Sequence, residues 1–237
     1  ELKQMGSGSV TNRGEIVGIA VAVEGWSGYY PIAHAGGGNM DKARVLNWFK
    51  DVLNTPAIKI FHNAMYDVCW IRSIGLKING TIVDTMIAGS LVDENRYRYD
   101  LGSMGRDYVG KGKSEAVLKE TANLWGIDAK SEMYKLPAMY VGEYAERDAV
   151  VTLDLWQRMK QEIQHQDIQS IFDLETELFP CLVDMRFLGV RVNLEAANEL
   201  KNKLSSEEKE CLQKVKIETG VDTQIWAARS IAQVFEK

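Results

Sequence analysis

The stretch 57-AIKIFHNAMYD-67 changes character in its middle. Residues 57–61 are apolar and β-branched around one lysine, so they read as a short buried strand. Asn63 then stands at the start of a helical pattern, where its side chain can cap the helix or face a substrate. Asp67 follows four residues later, about 40° further round a helix and on the same face. An amide and a carboxylate would then point together from the edge of a sheet.

Working outward, 15-EIVGIAVAV-23 and 27-SGYYPIA-33 flank a short glycine-containing turn and read as adjacent strands. Residues 41–54, DKARVLNWFKDVLN, carry Val45, Leu46, Trp48, Phe49, Val52 and Leu53 at helical spacing, with Asp41 placed to cap. Strand, strand, helix, strand, helix is the order of an α/β domain with a mixed sheet flanked by helices. A long helix is expected over about 137–165. After about residue 166 strands nearly vanish. Helical patterns dominate, broken by an extended 190-VRV-192 and restarted by Asn193 as a cap.

The chain has 237 residues, 46% hydrophobic and 26% charged, with a net charge of −5 and a pI near 5.4. No apolar run is long enough to span a bilayer, so no membrane partner is expected. The acidic balance argues mildly against a dedicated nucleic-acid binder but not against a nuclease, whose carboxylate site is itself acidic. Cys69, Cys181 and Cys211 form no CxxC pair and read as buried or partly buried thiols of a reducing cytoplasm. His34, His62 and His165 are too scattered to suggest a histidine metal site. Gly36-Gly37-Gly38 precedes a helix without the following Lys-Ser/Thr of a phosphate loop. Gly112-Lys113-Ser114 lacks the upstream glycine. Within 94–115 the basic residues at 96, 98, 106, 111 and 113 could touch phosphates, with tyrosines available to stack on bases; an ordinary solvated loop explains them equally well.

A second constellation is 144-YAERD-148, where Tyr144 and Asp148 share a helix face. A phenol beside a carboxylate can orient a water. The plain alternative is an intrahelical contact, just as Asn63 could be only a cap and Asp67 only a solvated side chain.

Together, in this order, 63-NAMYD-67 and 144-YAERD-148 resemble the second (N-x2-F/Y-D) and third (Y-x3-D) motifs of the 3′–5′ exonuclease domain of family A DNA polymerases. That family is the DEDD type with tyrosine, with a ribonuclease H-like fold. The stretch 82-IVDTMIAGSLVDEN-95 is similar to the family as well, and 178-LFPCLVDMRFLGVRVN-193 resembles the start of a polymerase thumb. The resemblance implies an exonuclease domain over 1–165 and the helical beginning of a polymerase region over 166–237. It implies proofreading hydrolysis of a single-stranded DNA 3′ end with two Mg²⁺ or Mn²⁺ ions, in the cytoplasm of a bacterium or phage-infected host, with the rest of the polymerase chain as partner. Asp67, Tyr144 and Asp148 take the catalytic positions, Asp67 and Asp148 as metal ligands. Asn63 and Tyr66 take substrate-binding positions. The alternatives are an RNA-trimming enzyme similar to ribonuclease D and a non-catalytic scaffold of the same fold.

The family's first motif is D-x-E on its first strand. Asp173-Leu174-Glu175 has those letters, but the surrounding Ile168, Ile171, Phe172, Leu178, Phe179, Leu182 and Val183 recur at helical spacing. On a helix residues i and i+2 stand about 200° apart and cannot grip one ion. Asp173 and Glu175 therefore read as ordinary helix residues. The first strand is expected upstream of Glu1, the chain is read as truncated at both ends, and cleavage by it is expected to be weak or absent. Asp84, polar in an apolar run, matches no ligand position and is assigned a structural role.

Overall fold

A computed structural model describes residues 8–112 and 115–236, so Glu1 and Lys113 lie outside it. The chain divides into two compact units, the first ending at Leu188 and the second beginning at Gly189.

After a short helix, α1 (Gly8–Thr11), strands β1 (Gly18–Val23) and β2 (Trp26–Pro31) form an antiparallel hairpin, with Ala20 opposite Tyr29. Helix α2 (Lys42–Asn54) is capped by the Asp41 side chain, which accepts from Arg44 N at 2.7 Å. Its Val45, Phe49 and Leu53, spaced four apart, bury against Ile19, Ile32 and Ile71. Strand β3 (Lys59–Phe61) leads into α3 (Ala64–Ser73), and β4 (Ile82–Asp84) into α4 (Thr85–Val92). β3 and β4 pair in parallel, Phe61 opposite Asp84. Among the described residues the expected mixed sheet is thus two separate ladders, one antiparallel and one parallel.

Helices α5 (Leu101–Val109) and α6 (Ala116–Leu124) follow, then the long α7 (Gly142–His165) and α8 (Gln169–Leu188). α7 is the spine of the unit: it packs against β1, β2 and β3 and against α4 and α5. Its Val151, Leu155, Met159 and Ile163 are buried with Val83, Met104 and Leu101 in the largest core cluster. Trp156 of α7 stacks on Phe172 of α8, centroids 5.4 Å apart, a contact worth about 1 kcal/mol beyond its buried area. Phe179 and Val183 bury beside Ala64, Val68 and Cys69 of α3. Arg72 of α3 pairs with Asp184 and lies over the Phe187 ring at 4.4 Å. The change of pattern near 166 therefore marks a turn between two helices of one compact unit, which continues through Leu188.

The triple glycine is a docking loop. A Cβ on Gly36 would stand 2.4 Å from Pro137 N, so only glycine allows this approach of two backbones. Ala35 N donates to the Tyr134 carbonyl and Ala138 N to that of Gly37. In the second unit, Asn193 caps α9 (Leu194–Thr219), as its position predicts, accepting from Ala196 N at 3.1 Å. α10 (Ala228–Phe235) follows, and neither helix has a buried residue. Cys69 is buried, but Cys181 and Cys211 are exposed, against the expectation of sheltered thiols. Both lie on outward helix faces, which spacing alone did not reveal.

Candidate active site

Parallel pairing brings the ends of β3 and β4 to the same level. There Asp84, 6% exposed, acts as a hub. One carboxylate oxygen accepts from Asn63 N (2.9 Å) and from Met86 N (2.8 Å), and the other from Ala64 N (2.8 Å). One side chain thus satisfies backbone donors at the starts of both α3 and α4. Thr85, fully buried, donates its hydroxyl to the Phe61 carbonyl (3.1 Å), so its oxygen accepts from His62 Nδ1 (2.9 Å). The structural role read for Asp84 is borne out. The His62–Thr85 bond was not foreseen, because it joins residues 23 positions apart.

This clamp sets the turn that carries the second motif. Asn63 adopts the left-handed conformation, φ 62° and ψ 54°, which asparagine tolerates better than most residues. Its side chain makes no capping bond. Of the two readings left open for Asn63, the cap fails: Asp84 supplies it from the neighbouring strand. Because Asn63 lies off the helical lattice, i,i+4 helix geometry does not place it on one face with Asp67. Asn63 is exposed, and Tyr66 is 37% exposed.

Asp67 stands in the first turn of α3, where a helix N-terminus favours a carboxylate. Its carboxyl is nevertheless raised to about 6, first by desolvation and further by the negative charge of Asp84, against the pull of its own backbone N–H. By surface area Asp67 is exposed, while the atoms around it desolvate its carboxyl.

Tyr144 and Asp148 lie one turn apart near the start of α7, both half-buried. The Tyr144 ring packs on a cluster of Leu118, Met133, Leu136 and Val141. The Asp148 carbonyl accepts from Thr152 Oγ1 at 2.8 Å. β3 and α8 each neighbour both α3 and α7, the two helices that carry the motifs. Among the described residues no group of three or more Asp, Glu, His or Cys side chains could hold a metal ion. The decoy pair is where its periodicity put it. Asp173 and Glu175 lie within α8, and Asp173 accepts from Gln169 Nε2 at 2.7 Å. Of the basic residues considered for phosphate, Arg96 is paired with Asp107 and lies over Tyr108, and Lys111 is paired with Asp154.

This fold and these motifs have a known counterpart: the 3′–5′ exonuclease profile of A-type DNA polymerases matches residues 3–164, and the chain belongs to that family of polymerase exonuclease domains. Among its relatives, the DNA-directed DNA polymerase of Pseudomonas phage M6 is 31% identical over 249 residues, covering 100% of this chain and 37% of that polymerase. DNA polymerase DpoZ of Salmonella phage PMBT28 is 29% identical, covering 77% of this chain and 29% of that protein. The chain thus spans well under half the length of either relative. Among solved structures, the POL domain of Pol1 from M. smegmatis, in complex with DNA primer-template and dNTP, superposes with a TM-score of 0.63 at 16% identity, over 93% of this chain and 34% of that one. No helix among the described residues is long and apolar enough to cross a membrane.

Proposed function

We propose that this exonuclease domain removes nucleotides from a single-stranded DNA 3′ end as the proofreading site of a longer polymerase chain. The observation that carries the reading is the Asn63–Asp67 turn: a left-handed residue held by Asp84, then an aspartate whose partly desolvated carboxyl has a raised proton affinity. A carboxylate in that condition is ready to gain from a nearby cation.

Asp67 and Asp148 are hard oxygen donors, which suit Mg²⁺ or Mn²⁺ in kind. In number they are two, where holding two dications takes about four carboxylates. When bound, the ions supply charge stabilisation at the phosphate and a more acidic water. This chain's own residues do the rest. Tyr144 donates or accepts one hydrogen bond that orients the attacking water. Asn63 presents its amide to the terminal nucleotide, and the Tyr66 ring offers a face to a base. Asp148 and Tyr144, one turn apart on α7, act as a unit.

Release of label from 3′-labelled single-stranded oligonucleotides in Mn²⁺ tests this, with DNA and RNA of one sequence in parallel. We expect slow release, faster from DNA, that disappears in Asp148→Ala. Release that prefers RNA, or that survives Asp148→Ala, would overturn the reading.

A further inference from the structure

A hydrogen-bonded pair behind Tyr144 has no part in the chemistry above. His34 is 3% exposed. Its Nδ1 lies 3.0 Å from the Leu136 carbonyl and its Nε2 2.6 Å from the Tyr29 hydroxyl. A carbonyl can only accept, so Nδ1 carries the proton and donates. Burial holds the imidazole pKa below its ordinary value, so the ring is neutral near pH 7 and Nε2 accepts from the Tyr29 O–H. The Tyr29 side chain lies across Gly18, where a Cβ would come within 2.1 Å of the hydroxyl oxygen. The far side of Tyr29 meets α7: a Cβ on Gly142 would be 3.5 Å from Cδ1 of its ring.

Two residues earlier on the same face of β2, Ser27 donates to Glu146 Oε2 at 3.2 Å. Tyr29 and Ser27 therefore address positions 142 and 146 of α7, either side of Tyr144. Tyr29 and Tyr144 also pack on the same buried cluster, which includes Leu136, the residue that His34 holds by its carbonyl.

Resting on the exonuclease reading, we propose that His34 and Tyr29 are positioning residues: the chain Leu136 C=O, His34, Tyr29 braces the first turns of α7 and fixes where the Tyr144 hydroxyl stands. Two observations point there rather than to plain core packing. The hydroxyl of Tyr29 and both ring nitrogens of His34 lie along one directional path of hydrogen bonds. One end of that path is the Leu136 carbonyl, on the segment that leads into α7, and at the other end the Tyr29 ring meets Gly142 in the first turn of that helix.

The test uses the whole chain with 3-fluorotyrosine incorporated, the Tyr144 resonance being assigned by its loss in Tyr144→Phe. Tyr29→Phe and His34→Gln should each move or broaden that resonance. Phe172→Leu, a core change elsewhere that lowers Tm by a similar few degrees, should leave it in place. In the oligonucleotide assay Tyr29→Phe should lower kcat roughly tenfold, as a displaced catalytic group does, with KM unchanged. It should have no further effect when combined with Tyr144→Phe. An unmoved Tyr144 resonance in both variants, or a rate loss that persists undiminished on Tyr144→Phe, would overturn the proposal. The spectrum reads the positioning without any turnover, so it tests the brace whether or not the chain cleaves, while a preference for RNA in the oligonucleotide assay would count against the exonuclease reading alone.

Discussion

Asp84→Ala should lower the melting temperature of the chain by on the order of 10 °C, the largest stability change we expect from one side chain outside the apolar core. The reason is the concentration of bonds on one carboxylate. Three backbone N–H groups, at Asn63, Ala64 and Met86, are satisfied by it. Alanine leaves all three without that acceptor at the starts of two helices. A lost cap costs about 1 kcal/mol, and a donor left unsatisfied in a buried place costs about 1–3. Ala64 is wholly buried, so its amide has no ready substitute. With water reaching part of the turn, the sum is about 3 kcal/mol, near 3 °C per kcal/mol for a chain of this size. Asp84→Asn keeps one acceptor oxygen and should lose about half as much. Thermal unfolding followed by circular dichroism checks both. A melting point for Asp84→Ala within two or three degrees of the parent would show that the hub is not holding the turn.

Asp67→Asn should move in two opposite directions. Its carboxyl is raised from 3.8 to about 6 in the fold. The folded protein therefore holds that proton more tightly than the unfolded chain does. The stability this gives is fully present below pH 3.8 and is lost as pH rises through about 6. Above that window the charged carboxylate opposes folding. Asparagine removes the charge, so at pH 7.5 the variant should be more stable, by about 1 kcal/mol once the shift is discounted for the exposure of Asp67. At pH 3.5 the gain should vanish. If Asp67 is the proposed ligand, the same substitution should also lower nucleotide release by on the order of a thousandfold, the rate equivalent of a few kcal/mol of charge stabilisation. A more stable protein with a dead site is the signature of a carboxylate kept for function. Equal stability of the two forms across pH 3.5–7.5 would contradict this.

The sequence disclosed what is local. Asp41 and Asn193 cap the helices that follow them, as their positions predicted. The helical spacing around Asp173 and Glu175 kept them out of the site, and α8 contains them. What stayed hidden depends on pairing across distance. Nothing near Asn63 says that its helix is capped by Asp84, which becomes a neighbour only when β3 and β4 align in register. Nothing in the spacing of the strands says that the sheet divides into two ladders among the described residues. The composition change near 166 was visible, but not that Phe172, Phe179 and Val183 would turn inward and keep α8 within the first unit. His34 was an isolated letter until the loop of Gly36–Gly38 docked on Pro137 and Ala138 and brought Leu136 within reach.

We propose that Asp67 and Asp148 belong to one divalent-cation site, although they sit on different helices and 81 positions apart in the chain. The most direct measurement is a Mn²⁺ titration followed by electron paramagnetic resonance, on the parent chain, Asp67→Asn, Asp148→Ala and Asp173→Asn. The account predicts weak binding by the parent, with Kd on the order of millimolar for a site with few carboxylates. It predicts that binding is lost in both Asp67→Asn and Asp148→Ala and unchanged in Asp173→Asn. Binding that survives either of the first two substitutions, or that disappears with the third, would contradict it.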